Sequence, residues 1–299
     1  MAISVNTNIT SLIAQKSLNS STNAIQKAMQ RLTTGLKINN AGDDAAGLVI
    51  SENMNAQLNG SKRAMQNIQD AQNFAAVAEG AMISIGEHLQ RINDLMVQGA
   101  SDTNSLSARN AILVEVQQRL SEIERIATGT SFNGATMIDG TYGKGKTPFI
   151  VQIGPYTDTE PNNPINTIDI TNAFTNCRLS QLGTAGVGIL LPDTLNPDKT
   201  GYNPEGDEFR EYLDKIQNAI DLISSSRGLL GGYLNRMESS YDNLSLIVEN
   251  LTTAKSRIVD TDIAEASSEM VKQQILQQTT ASILVQANQM PQMALNLIQ

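Results

Sequence analysis

The residues best placed by type and spacing to do chemistry are the adjacent Asp43 and Asp44, within RLTTGLKINNAGDDAAGLVIS at 31–51, and the acidic DTD at 260–262. Paired carboxylates can hold a divalent cation or divide acid and base roles, but both uses need convergent partners. The only histidine, His88, stands in a distant alanine-rich stretch, and the only cysteine is Cys177. A lone cysteine forms no intrachain disulfide and reads as a small packed residue. No HExxH, GxSxG, CxxC or GxxxxGK[ST] pattern occurs in the sequence, so the spacings that build metal, nucleophile or phosphate sites are missing. Asp43 and Asp44 instead follow glycine and asparagine and precede a helical pattern, where an Asp accepts a backbone N–H and faces the positive end of a helix. The pair is a joint between helices, and DTD reads as a second cap. No catalytic residue, cofactor or metal is expected.

The elements around these joints are long helices. From Phe209, the positions Leu213, Ile216, Ile220, Ile223, Leu230, Leu234, Met237, Tyr241, Leu244, Val248, Leu251 and Ile258 keep steps of four and three, with Arg227 and Lys255 in the gaps. A sustained 3.5-residue apolar repeat turns one stripe toward a partner helix. A second run has Ile68, Ala71, Ala75, Ala78, Met82, Ile85, Leu89, Ile92 and Met96, and a third has Leu113, Val116, Leu120, Ile123 and Ala127. Three such seams bury one another in a slender bundle. The expected fold is mainly α: long antiparallel helices in a coiled-coil rod with one small β-hairpin. Its strands are TPFIVQIG and INTIDIT, joined by the turn-rich PYTDTEPNNP. The glycine- and proline-rich 184–206 reads as a short exposed loop.

Composition narrows the function. The 299 residues carry a formal net charge of −9 with 4% aromatics, and an acidic chain without grouped Lys and Arg does not suit nucleic acid. No run approaches the length of a membrane-spanning helix, and MAISVNTNITSLIAQ has neither the basic nor the apolar region of a conventional signal peptide. The two ends share an odd property. No charged side chain precedes Lys16 or follows Lys272, yet both ends are helix-patterned: Leu18, Ile25 and Leu32 at one, Leu276, Ile283, Met290 and Leu297 at the other. Uncharged polar faces suit helices packed on all sides by protein, where an unpaired charge is costly and amides can pair. Each end alone has a narrow seam and little to bury.

Several of these stretches together resemble bacterial flagellin: VNTNITSL, the joint at 31–51, LQRINDLMVQGASDTNS, RLSEIERIATGTSFNG, AKSRIVDTDIAEA and QILQQTTASILVQANQMPQMALNLI. The resemblance covers about 1–183 and 207–299 in the family's order. It implies a subunit that polymerises with itself into the extracellular flagellar filament for motility. In that reading 1–41 and 261–299 form a terminal coiled coil lining the filament channel, 42–183 and 207–260 form a helical spoke with the hairpin, and the loop at 184–206 replaces large outer domains. Leu18, Ile25, Leu32, Leu276, Ile283, Met290 and Leu297 are the expected filament-core residues. The resemblance also implies secretion through the flagellar type III apparatus, a chaperone on the carboxyl-terminal segment, and contacts with filament cap and hook-junction proteins, with no membrane insertion. LQRINDLMVQ is similar to the stretch by which many family members are sensed by a Toll-like receptor, at Gln90, Arg91 and Leu95, with Glu115 on the following helix. A hook–filament junction protein is the nearest alternative. An enzymatic flagellin would need a metal motif in the middle segment, and a coiled-coil scaffold would have little reason for charge-free ends.

Overall fold

The computed structural model describes residues 7–142, 147–158, 165–182, 188–192, 195–196 and 205–296, the last six by backbone alone. Five helices and two small antiparallel sheets are described, and the fold is mainly α as the heptads predict. Helix α1 runs Ile9–Thr34, with the Asn8 side chain accepting from the Ser11 amide at 3.1 Å. It ends at Gly35, whose left-handed φ of 72° lets its N–H close on the Arg31 carbonyl.

The joint that follows is held by both aspartates in different roles. The Asp43 carboxylate accepts from Lys27 Nζ at 3.2 Å and from the amides of Asn39 and Asn40 at 3.3 Å each, and these bonds, Lys27's first, hold its carboxyl below the usual carboxylate range. Asp44 is the cap: its Oδ1 accepts from the Gly47 amide at 2.9 Å at the start of α2, Ala45–Gly99. Among the described residues no three His, Cys, Asp or Glu side chains gather as a metal site. Asp262 caps in the same way at the far joint, accepting from Ala264 and Glu265.

Helix α3 spans Leu106–Gly129, α4 spans Gly206–Val259 and α5 spans Ile263–Asn296. The chain forms two compact units, residues 59–248 and residues 1–58 with 249–299. The sequence places these divisions at 41/42 and 260/261, at the loops. The compact units divide within α2 and α4, at 58/59 and 248/249.

The larger unit contains the main core. Every residue of the α2 seam from Ile68 to Met96 and of the α3 seam from Leu113 to Ala127 is buried. Along α4, Ile216, Ile223, Leu230, Met237 and Leu244 are buried, but Arg227 is exposed and Ser226 takes its place inside. A one-residue offset there keeps a guanidinium in water at the cost of an apolar contact. The Arg210 guanidinium donates to the Ala100 carbonyl at 3.1 Å, and Gln69 Nε2 donates to Tyr241 Oη at 3.3 Å. The same 31 residues separate Gln69 from Ala100 and Tyr241 from Arg210, so these parts of α2 and α4 are antiparallel and in step.

The expected hairpin is present as β3 (Ile150–Gln152) against β4 (Thr167–Asp169), in register Val151↔Ile168. A second, smaller one pairs β1 (Ser131–Phe132) with β2 (Ala135–Thr136) through a two-residue turn at Asn133–Gly134. Strands this short are not stable alone. Both hairpins meet a ring cluster centred on Phe74 of α2, which stacks on Phe149 at 4.4 Å between centroids and meets Phe132, Phe174 and Tyr142 edge-on at 5.8, 5.4 and 6.2 Å. Four of the five phenylalanines are thus spent fastening the β-segments to one helix.

The segment 184–206 departs from an exposed loop where it is described; 184–187, 193–194 and 197–204 lie outside the described residues. Ile189 and Leu195 are fully buried, the Ile189 amide donates to the Leu179 carbonyl, and buried Tyr212 donates its hydroxyl to the Ile189 carbonyl. Apolar residues inside a loop-like composition were the missed signal. Cys177 is fully buried as well, and desolvation pushes its thiol up to about 12.

Glycines serve two purposes in the long helices. At Gly60 a Cβ would meet Pro155 Cβ at 2.6 Å, so the absent side chain admits the β3–β4 connection. Gly80 and Gly86 of α2, and Gly228, Gly231 and Gly232 of α4, have nothing within reach of a Cβ.

Candidate functional site

The smaller unit is built on an antiparallel pair, α1 against α5. Asn8 Nδ2 donates to the Ala287 carbonyl at 2.8 Å, Ser11 Oγ to Asn288 Oδ1 at 2.7 Å, and Gln277 Nε2 to Thr22 Oγ1 at 3.0 Å. At the other end Leu36 bridges Asp260, and the Lys37 and Thr261 amides donate to the Val259 and Gly35 carbonyls at 2.6 and 2.9 Å.

The face each helix turns inward alternates small or polar side chains with larger apolar ones. On α1 it runs Ala14, Leu18, Ser21, Ile25, Ala28 and Leu32, with the alanines and serine buried and the larger residues half-buried. Leu18, Ile25 and Leu32 therefore occupy the seam expected of them. On α5 the inward positions are Ala266, Met270, Gln273, Gln277, Thr280, Leu284 and Ala287, again in steps of four and three.

That row is distinct from the apolar row Leu276, Ile283 and Met290. Leu276, Ile283 and Met290 are 42%, 51% and 46% exposed and face away from α1; Leu297 lies outside the described residues. The row that pairs with α1 is a different heptad. The seven-residue spacing of Ala14, Ser21 and Ala28, and of Ala266, Gln273, Thr280 and Ala287, was the available signal. Small side chains let the backbones approach and Gln277 reach Thr22 across the seam, while Leu276, Ile283 and Met290 stay outside. Ile9, Leu12, Ile13, Met29, Val271, Ile275 and Val285 join the outer set, all exposed. On α5 the order of an ordinary coiled coil is inverted, with most of its large apolar side chains outward. An exposed apolar surface of this kind marks an interaction site, and no charged side chain interrupts it beyond Lys272.

A second surface lies across α2 and α3. Arg91 Nε donates to Glu115 Oε1 at 3.2 Å, Arg119 Nε donates to the same oxygen at 3.1 Å, and Arg119 Nη1 stands 3.4 Å from His88 Nδ1. Partial burial works to raise the Glu115 carboxyl, but the bonds from Arg119 and Arg91 outweigh it and hold it low. Of the residues named for recognition, Gln90 and Arg91 are exposed, Glu115 is partly exposed, and Arg91 and Glu115 are in contact. Leu95 is the exception. It is 2% exposed and packed in the α2 core beside Met96, because the helix presents two adjacent residues inward at that turn.

Two family descriptions match the chain along its helices. The bacterial flagellin N-terminal helical region matches residues 5–143, and the bacterial flagellin C-terminal helical region matches residues 213–298. The chain belongs to the bacterial flagellin family. It is 35% identical over 312 residues to flagellin of Bacillus subtilis (strain 168), covering 99% of each chain. It is 34% identical over 295 residues to the flagellar filament 33 kDa core protein of Treponema phagedenis, again covering 99% of each. In three dimensions it resembles a flagellar hook-associated protein from Vibrio parahaemolyticus, with a TM-score of 0.58, 14% identity, and coverage of 73% of this chain and 100% of that one. At that identity the likeness shows the fold alone. The family assigns the chain as a structural component of the bacterial flagellar filament. No described helix is long and apolar enough to cross a membrane.

Proposed function

We propose that the outward apolar face of the α1–α5 pair is the surface through which copies of this chain pack in the filament core. The observation that carries this reading is the inversion: Leu276, Ile283 and Met290 lie exposed on a helix whose inner face is Thr280, Leu284 and Ala287. Burying one such side chain is worth about 1.5–3 kcal/mol, and each copy repeats the gain. In this reading residues 1–41 and 261–299 line the channel, and 42–183 with 207–260 stand outside them. The chain leaves the cell by the flagellar export route, its carboxyl-terminal segment held by a chaperone until the apolar face is covered, and it meets cap and hook-junction proteins at the ends of the filament.

The test is Ile283→Asp beside Thr280→Ser. The first places a carboxylate on the outer face, where neighbouring copies would strip it of water at a cost of several kcal/mol. Filaments viewed by electron microscopy should be lost for Ile283→Asp, while the monomer keeps wild-type helicity. Normal filaments from Ile283→Asp would overturn the assignment.

A second reading concerns Gln90, Arg91 and Glu115. Their grouping at the surface supports recognition by a host Toll-like receptor, with the Arg91 guanidinium as a planar multi-donor anchor. Leu95 contributes from beneath, by packing. Arg91→Ala should then lower receptor activation by the folded monomer with helicity unchanged, and undiminished activation would remove this reading.

A further inference from the structure

We propose that Asn133 is a site of spontaneous covalent modification, deamidating through attack by the Gly134 backbone nitrogen. Asn133 is the only non-glycine residue with positive φ among the described residues, at 50°, and Gly134 follows at 80°. Together they form the turn between β1 and β2, whose register Phe132↔Ala135 leaves two residues in the loop. Asn-Gly is the pair such a primed turn favours, because both positions need left-handed backbone.

Three features make this step reactive. Both residues are exposed, so water and hydroxide reach them. The Gly134 amide enters no hydrogen bond with another described residue, so none of these holds its proton. A Cβ built at Gly134 would meet nothing, and having none, the residue leaves the nitrogen's approach to the Asn133 side chain open. The hairpin itself is two residues on each strand, the class of structure that opens locally at small cost. That opening matters because the turn geometry must relax before the ring can close.

The chemistry balances without an oxidant or a cofactor. The Gly134 nitrogen gives its proton to solvent and bonds to Cγ of Asn133. The Cγ–Nδ2 bond then breaks, and the nitrogen, which already bears two hydrogens, takes up one proton and leaves as ammonia. The resulting succinimide adds one water at either carbonyl. Opening at Cγ gives aspartate, and opening at the main-chain carbonyl gives isoaspartate, whose backbone runs through the former side chain. One amide and one water become one carboxylic acid and one ammonia, and the chain gains a negative charge. Isoaspartate lengthens the main chain by a carbon, so the two-residue turn and the Phe132↔Ala135 pairing cannot be kept.

The chain carries its own control. Asn59–Gly60 is the same dipeptide, but it lies inside α2, where the Gly60 N–H is committed to the helix and Pro155 closes over it. The experiment is incubation of the full chain at neutral and mildly alkaline pH in ¹⁸O-labelled water, followed by peptide mass mapping of both sites. A parallel sample is held in denaturant. In denaturant the two sites should convert at similar rates. In the folded chain Asn133 should convert more than roughly tenfold faster than Asn59, since hairpin opening and helix-core opening lie far apart on the stability scale. The Asn133 rate should rise with pH and yield both aspartate and isoaspartate. Equal rates at the two sites in the folded chain would overturn the proposal, as would an unmodified Asn133 over a period in which the denatured chain converts fully.

Discussion

Replacing Phe74 with leucine should uncouple the β-segments from α2. The leucine keeps an apolar side chain at a position that is 5% exposed, so the change isolates what the ring does beyond being apolar. Phe74 is the member of the cluster that meets all four other rings, one stacked and three edge-on. Each aromatic pair is worth about 0.5–1.5 kcal/mol beyond burial. Summed independently, four pairs would give about 2–6 kcal/mol, but rings sharing one partner are not additive, and Phe149 and Phe174 still meet each other at 5.4 Å. An expected loss of about 2 kcal/mol therefore sits at the low end. Phe74→Ala adds the cavity and should cost about 3–5 kcal/mol. Denaturant unfolding followed by helical signal and by tyrosine fluorescence would measure both, and hydrogen exchange would show which amides are released first. Those of 149–153 and 166–170 should lose protection before those of the α2–α3 core. A Phe74→Leu variant within half a kcal/mol of the parent, with β3–β4 protection unchanged, would refute the idea that ring geometry holds the hairpin.

Other outcomes follow from single contacts. Ser61 is fully buried with no hydrogen-bond partner for its hydroxyl among the described residues, so Ser61→Ala should stabilise by about 1 kcal/mol in the same titration. Asp44→Ala removes the N-cap of α2 and should cost about 1 kcal/mol, whereas Asp44→Asn should be nearly neutral; equal losses would show that charge rather than capping matters. Asp158 accepts from the Ile165 and Asn166 amides, from Asn166 Nδ2 and from Thr167 Oγ1, and these bonds, Thr167's first, hold its carboxyl below the ordinary 3.8. A lowered carboxyl stabilises above its ordinary value, and that contribution fades as pH falls through the lowered one. Acid should therefore loosen 165–167 below pH 3.8, as read by exchange or NMR, and Asp158→Asn should abolish that dependence.

Much of this architecture is legible in the chain because its seams follow a strict rule. Ile68 to Met96 and Leu113 to Ala127 all point inward, since a wide apolar stripe can only be buried one way. The reading failed where burial is driven by something other than size. On α5 the inner row mixes glutamine, threonine and alanine with Met270 and Leu284, and hydrophobicity alone points to the other face. Leu95, named for recognition by resemblance, is buried because the helix turns an arc inward that is wider than the Leu89–Ile92–Met96 seam. Ile189 and Leu195 lie in a stretch rich in glycine and proline, and nothing periodic marks a segment held at Ile189 by the Leu179 carbonyl and the Tyr212 hydroxyl. The hairpin at 131–136 is too short to register as alternation, although its Asn-Gly turn was readable.

The open glycines of the two long helices bear on mechanics. Because α2 and α4 are antiparallel and in step, Gly80 is level with Leu230, between Gly228 and the Gly231–Gly232 pair. These four sites stand at one height, and none is required by a neighbour's approach. A helix bends by letting carbonyls on its wet side tilt toward water, and a residue without a side chain offers that motion the least hindrance. Both helices can therefore flex at the same height while Met82 and Leu230 stay packed on the inner face. A subunit so made has a compliant level across its shaft, where identical copies can take slightly different curvatures without exchanging a single core contact.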